Sequence, residues 1–319
     1  MKKFHNEEIY IKTDNFSDSI FKENTMFFDI ETTGFSPVKA IVYMIGCARR
    51  IKNRIVIDQY FAESVDDEAA VIEAFAGSLS GCSTIISFNG VGFDIPFLKN
   101  KYKKYKQDDP FCNVQILDIF KELSPIKPLL CLENYKQKSI EAFLGIDRED
   151  KYSGGELINV YYEYLAQNDD EKLSLLLTHN YEDVLGMTKL LNILSYKECI
   201  HGIADITGVS VNPYTAYDGS LMNELIISFE NKFSVPKSVS FHDKHLSDHR
   251  HYKKLRACRD IRGGNAPFLQ RLQKLLLSAK GGHGHTQECR SICRPRIPRK
   301  MQSVQLLCAQ NRYLHQTVL

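Results

Sequence analysis

Two carboxylates stand two residues apart in the stretch FFDIETTG, residues 27–34. Around Asp29 and Glu31, Phe27, Phe28 and Ile30 are aromatic or β-branched, the composition of a strand at a sheet centre. Positions i and i+2 of a strand share a face, roughly 6–7 Å apart at about 3.3 Å rise per residue. Two like charges on one face of a buried strand repel and are costly to desolvate, so the pattern asks for a compensating charge. A hard divalent cation supplies it, because such ions take carboxylate oxygens. A surface strand with two solvated acids is the plain alternative for this stretch taken alone.

Two later stretches carry further candidates. In FNGVGFDIPFLKN, Asn89, Gly90 and Gly92 read as a loop, and Asp94-Ile95-Pro96 as the start of a helix with proline in its first turn. Asp94 therefore stands where a strand hands over to a helix, the usual rim for site residues in α/β folds. Its plain reading is a helix cap. In THNYEDVLGMTKLL, His179 and Asp183 are four apart and share one helix face, near Leu176, Met187 and Leu190. A charge beside an apolar stripe suggests a partner held against the core, whereas a lone acid on a helix is by default solvated. Asp118, in QILDIF, reads as a cap or solvated acid before it reads as a further site carboxylate.

These residues need elements to hold them. After the first strand, residues 41–50 and 54–61 are β-rich runs joined by a Lys52-Asn53 turn, the second and third strands of an antiparallel meander. Residues 66–79 show helical spacing, with Ser64 or Asp66 as N-cap. Strands are expected at 84–88 and 115–120, and helices at 133–144, 156–165 and 171–195. Residues 1–25 are polar and read as a lead-in.

Composition bounds the setting. Of 319 residues, 43% are hydrophobic and 25% charged, an ordinary soluble balance. No apolar run approaches the roughly 20 residues of a membrane span, so no membrane partner is expected. The N-terminal MKKFHNEEIY lacks the apolar core of a signal peptide. Cys47, Cys82, Cys112, Cys131 and Cys199 are scattered, which suits reduced thiols and a cytoplasmic location. The net charge of +2 hides an asymmetry. Residues 256–319 carry 12 Lys or Arg against Asp260 and Glu288, leaving 29 basic and 37 acidic residues before them.

Asp-x-Glu on a first strand, Asp in an Asn-Gly-x-x-Phe-Asp context and Asp in a late helix together resemble the DEDD exonucleases of the ribonuclease H-like superfamily. The finer resemblance is to the bacterial YprB-type ribonuclease H-like domain, a set of predicted exonucleases. It is carried by FFDIETTG, ISFNGVGFDIPFL, ENYKQKSIEAFLGIDRED and HNYEDVLGM, and covers residues 26–195. One departure matters. The tyrosine branch of DEDD enzymes has Tyr four residues before the last Asp, and the histidine branch has His five before it. Here His179 is four before Asp183 and Thr178 five before, so spacing follows one branch and residue type the other. Tyr181 falls on a different helix face from Asp183.

The resemblance implies an α/β, ribonuclease H-like fold, with a mixed five-stranded sheet of antiparallel meander plus parallel strands, flanked by helices. It implies that Asp29, Glu31, Asp94 and Asp183 bind two divalent ions, Mg²⁺ or Mn²⁺, and that His179 orients or deprotonates the attacking water. Phe35, Asn89 and Phe93 would line the slot for a terminal nucleotide, with aromatic faces for stacking. The implied reaction is 3′→5′ hydrolysis at the 3′ ends of single-stranded DNA or RNA. Two other classes compete: an inactive exonuclease-like module that binds nucleic acid, and a ribonuclease H-type endonuclease. Without metal, four clustered carboxylates should destabilise the fold.

The expected organisation is a lead-in (1–25), the exonuclease domain (26–195), an extension of unassigned role (196–255) and a basic Cys/Arg-rich tail (256–319). Three readings of the tail stand side by side: a basic nucleic-acid arm, a zinc site from His283, His285, Cys289 and Cys293, or a frameshifted end never selected to fold. The third is preferred.

Overall fold

The computed structural model describes residues 1–201, 205–215, 219, 221–243, 246–251 and 254–261. They fall into two compact units, one of residues 1–127 and 131–194, the other of 128–130 and the described residues from 195 onward. The expectations for the tail beyond residue 261, including the zinc site, lie outside the described residues.

The first unit is built on a six-stranded mixed sheet. Its strands are β1 (Lys2–Ile9), β2 (Thr25–Thr32), β3 (Val42–Ile51), β4 (Arg54–Phe61), β5 (Thr84–Ser87) and β6 (Gln115–Asp118), in the order β1-β4-β3-β2-β5-β6. β1 to β4 pair antiparallel; β5 and β6 join parallel to β2 and to each other. The α-helices among the described residues are α1 (Asn15–Ile20), α2 (Glu68–Ser78), α3 (Asp94–Lys104), α4 (Ile119–Glu122), α5 (Lys127–Leu130), α6 (Gln137–Leu144), α7 (Gly154–Gln167), α8 (Asp170–Leu190) and α9 (Ser195–His201).

The α/β class expected from sequence is correct, but the sheet has six strands rather than five. The sixth is β1, inside what reads as a polar lead-in. Its side chains are nearly all exposed, so it lacks the apolar alternation that announces a strand. Cross-strand charge holds it instead: His5 faces Asp58 with Nδ1 2.8 Å from the carboxylate, Lys3 reaches the same group at 3.2 Å, and Arg54 meets Glu7 at 2.8 Å. The helix expected from residue 133 begins only at Gln137. The Asn134 side chain accepts hydrogen bonds from Lys136 N and Ser139 Oγ, capping the turn before it.

Alternation along β2 and β3 sends neighbouring residues to opposite faces. Phe28 packs on Phe75 of α2, ring centroids 5.2 Å apart, while its neighbour Asp29 faces Asn180 of α8. In β3, Cys47 faces Ser78 of α2, and Gly46 meets Asn180 and Val184 of α8. The sheet is thus sandwiched, with α2 on one face and α8 on the other. A buried ion pair ties the α2 side together: Glu68 and Lys101, both fully buried, are 2.7 Å apart. Glu68 also accepts from Val42 N, Lys104 Nζ and Tyr105 Oη.

The second unit contains α9 and a five-stranded antiparallel sheet of β7 (Asp205–Thr215), β8 (Leu221–Glu230), β9 (Val239–Asp243), β10 (Leu246–His251) and β11 (Lys254–Ile261), ordered β7-β8-β11-β10-β9. Residues 256–261, the first of the basic tail, are part of β11. No helix among the described residues is long and apolar enough to cross a membrane.

Candidate active site

Four carboxylates from β2, α3 and α8 come close enough for their charges to act on one another. Asp29 and Glu31 come from the C-terminal half of β2, with a register shift between Glu31 and Thr32. Asp94 opens α3, where free backbone N–H groups and the helix dipole favour a carboxylate. Its Oδ1 also accepts from Ile30 N at 3.3 Å, which pins the start of α3 to the strand between the two β2 acids. Asp183 and His179 lie one turn apart on α8. Oxygens of Glu31 and Asp183 and a nitrogen of His179 all lie within 4.8 Å of one another.

The cluster is electrostatically strained. Burial pushes the Asp29 and Glu31 carboxyls well above the ordinary range, with the charges of Asp183 and Asp94 adding to both. Burial likewise pushes Asp94 up to about 7, with Asp118 and Asp183 contributing. Arg148 works against the rise at Asp29, and the Tyr43 hydroxyl against the rise at Glu31. A set of hard oxygens whose protons are held this tightly is short of positive charge, and a small divalent cation fits that need.

Several residues around the cluster were not singled out from sequence. Arg148 places Nη2 2.5 Å from Asp183 Oδ1 and Nη1 3.0 Å from Glu141 Oε2. Asp150 accepts from His179 Nδ1 at 2.7 Å and from Lys138 Nζ at 2.7 Å. Glu182 accepts from Glu149 N and Asp150 N, both at 2.8 Å, and so holds the loop between α6 and α7 against α8. Asn180 takes a hydrogen bond from Gln59 Nε2 at 3.0 Å and directs its own amide at Asp29 Oδ2, 3.4 Å away.

A model of the RNase H superfamily matches residues 26–195, just over half of the chain. The chain belongs to the RNase H superfamily. Over 182 residues it is 25% identical to the uncharacterized protein YprB of Bacillus subtilis (strain 168), an overlap of 55% of this chain and 43% of YprB. The chain therefore spans less than half the length of that curated relative. Among solved structures, it is similar to the family B DNA polymerase of Pyrobaculum calidifontis, with 14% identity, 91% of this chain and 45% of the polymerase covered, and a TM-score of 0.44. It is also similar to E. coli exonuclease I in complex with a dA16 oligonucleotide, with 13% identity, coverage of 65% and 54%, and a TM-score of 0.33.

Within this RNase H superfamily domain the remaining candidates take varied places. Phe35 is 88% exposed, and its ring stands edge-on to Phe93 with centroids 6.1 Å apart. Asn89 is exposed in the loop after β5, with φ 66°. Asp118 accepts from Asn89 N, Val91 N and Lys121 N, so it caps α4 and fixes that loop. Tyr181 hydrogen-bonds Glu8 of β1 at 2.5 Å, away from the cluster. Of the residues missed, Asn180 adjoins His179 and Arg148 and Asp150 end the segment 133–150; their charge alone does not separate them from solvated neighbours.

Proposed function

We propose that the chain is a metal-dependent 3′→5′ exonuclease acting on single-stranded nucleic acid. The feature that supports this most is the grouping of Asp29, Glu31, Asp94 and Asp183, where burial and neighbouring carboxylates push three of the four carboxyls above the ordinary range. Such an array is costly unless a cation neutralises it, and all four hard-oxygen donors suit Mg²⁺ or Mn²⁺. Two such ions, when bound, would supply Lewis acidity to activate a water at neutral pH and to stabilise the leaving 3′ oxygen.

The chain's own residues do the rest. Asp29, Glu31, Asp94 and Asp183 would hold the ions, and Asn180 directs its amide at Asp29. His179 presents Nε2 to the same space, 3.2 Å from Asp183 and 3.5 Å from Glu31. Phe35 and Phe93, with rings already in edge contact, offer surfaces for the terminal base. Asn89, on the loop that Asp118 anchors, offers an amide to the terminal nucleotide. Water adds to phosphorus as the P–O3′ bond breaks, releasing a nucleoside 5′-monophosphate and leaving a shortened strand with a new 3′-hydroxyl.

The test is digestion of 3′- and 5′-labelled single-stranded DNA and RNA with Mg²⁺, Mn²⁺ or EDTA. Stepwise loss from the 3′ end, abolished by EDTA, is expected, and the preferred strand names the substrate. Retention of oligonucleotide by folded protein without cleavage under any metal would overturn the reading in favour of a binding module. Internal cuts would point to an endonuclease.

A further inference from the structure

We propose that His179 is a direct metal ligand through Nε2, sharing an ion with Glu31 and Asp183, and that Arg148 and Asp150 on one loop aim these ligands. The inference rests on the metal-site reading above and assigns His179 a place that neither DEDD branch gives its histidine or tyrosine.

The orientation of the ring carries the argument. His179 is 4% exposed, and its Nδ1 lies 2.7 Å from Asp150 Oδ2. The Asp150 side chain is itself 2% exposed and is held by Lys138 Nζ at 2.7 Å, while its Oδ1 accepts from Tyr152 N at 3.0 Å. A carboxylate so braced holds Nδ1 in place and turns Nε2 away from Asp150. Nε2 faces Asp183 Oδ2 at 3.2 Å and Glu31 Oε1 at 3.5 Å. These three side chains offer one ligand atom each, and the atoms lie within 4.8 Å of one another, close enough to share one cation.

The spacing suits an ion. In an octahedral shell with ligands at about 2.1 Å, neighbouring donor atoms are about 3 Å apart. Asp183 is arranged by the same logic as His179. Its Oδ1 is taken by Arg148 at 2.5 Å, and Arg148 is in turn fixed by Glu141, so Oδ2 is the oxygen left for the cluster. One short loop thus occupies the outer atom of each α8 ligand, and Glu182 holds that loop to α8 through two backbone N–H groups. Carboxylate–histidine–metal arrangements of this kind set the ligand's tautomer and direction. A nitrogen in the shell also shifts preference from Mg²⁺ towards Mn²⁺, because imidazole suits transition metals and water or carboxylate suits Mg²⁺.

The experiment is Mn²⁺ binding to the full chain without substrate, read by electron paramagnetic resonance of free Mn²⁺ and by ¹⁴N electron spin-echo modulation of the bound ion. The wild type is expected to show directly bound imidazole nitrogen and Mn²⁺ affinity at least tenfold above that for Mg²⁺ in competition. His179→Ala should lose the nitrogen signal and bind Mn²⁺ about 10–100-fold more weakly, and Asp150→Asn about tenfold more weakly. Mg²⁺ affinity should change less than Mn²⁺ affinity in both. Bound Mn²⁺ with no nitrogen coupling in the wild type would overturn the proposal, and that spectrum decides even where a variant fails to fold. Mn²⁺ affinity unchanged in His179→Ala would overturn it as well. Digestion without a nitrogen signal leaves the exonuclease reading and removes this one; a nitrogen signal without digestion does the reverse.

Discussion

Gly46 lies directly opposite Asp29 in the β2–β3 pair, and the place where a Gly46 side chain would stand is filled by the amide of Asn180. The missing Cβ lets α8 come close enough for Asn180 to reach Asp29 at 3.4 Å. A glycine in a strand usually marks such a close approach. Here it sets the distance between the β2 acids and the α8 residues.

Gly46→Ala should therefore push α8 off the sheet. A Cβ there would overlap the Asn180 oxygen and stand 2.8 Å from Val184 Cγ2. Overpacking of this kind costs about 1–3 kcal/mol. Denaturant melts should show that loss, together with weaker Mn²⁺ binding; wild-type values for both would mean that the helix gives way without moving the site.

Asp29→Asn should remove most of the nuclease activity while leaving the fold intact. The loss expected is about 100-fold or more, equivalent to roughly 2.7 kcal/mol of barrier. Asn still accepts from Asn180, so circular dichroism should be unchanged. Digestion of labelled oligonucleotides at the wild-type rate would sink the metal-site reading.

The metal-free protein should lose stability as pH rises. Asp94 has its carboxyl pushed up to about 7 by burial, against about 3.9 in an unfolded chain. The folded state then binds the proton more tightly, so this group favours folding below about pH 4 and loses that contribution as pH climbs towards 7. Thermal melts in EDTA should show Asp94→Asn more stable than wild type at pH 8, with the gap closing near pH 4. Mn²⁺ should raise the wild-type Tm more at pH 8 than at pH 5. A gap of about 1 kcal/mol corresponds to roughly 2–4 °C.

Glu68→Ala tests the opposite side of the sheet. It would leave Lys101 charged and fully buried, with only the Ala40 carbonyl oxygen as acceptor. Breaking a buried pair in this way costs about 3–5 kcal/mol. A large fall in Tm with metal affinity preserved in the folded fraction is expected, since α2 and α8 pack on opposite faces. An unchanged Tm would show that the pair is replaceable.

Local sequence alone was enough for the central strands, the α3 start at Asp94 and the α8 face shared by His179 and Asp183. Period-2 and period-3.6 patterns with Gly and Pro punctuation are short-range signals, and each of these elements buries one side. The strand β1 was not legible, because its partners are charges on β4 some fifty residues away rather than an apolar face. Arg148, Asp150 and Asn180 were not legible either. A charged residue in a loop looks the same in sequence whether it is solvated or buried against a helix thirty residues further on.

The sequence by itself singled out the candidate site residues: Asp29, Glu31, Asp94, His179 and Asp183 stand out by type and spacing. Only the tertiary structure decided how they are aimed. Asp150 takes one nitrogen of His179, Arg148 takes one oxygen of Asp183, and Gly46 lets Asn180 reach Asp29. The reason is physical: a side chain's direction is set by what occupies its other atoms, and those occupants come from distant parts of the chain that meet only when the sheet and α8 pack together.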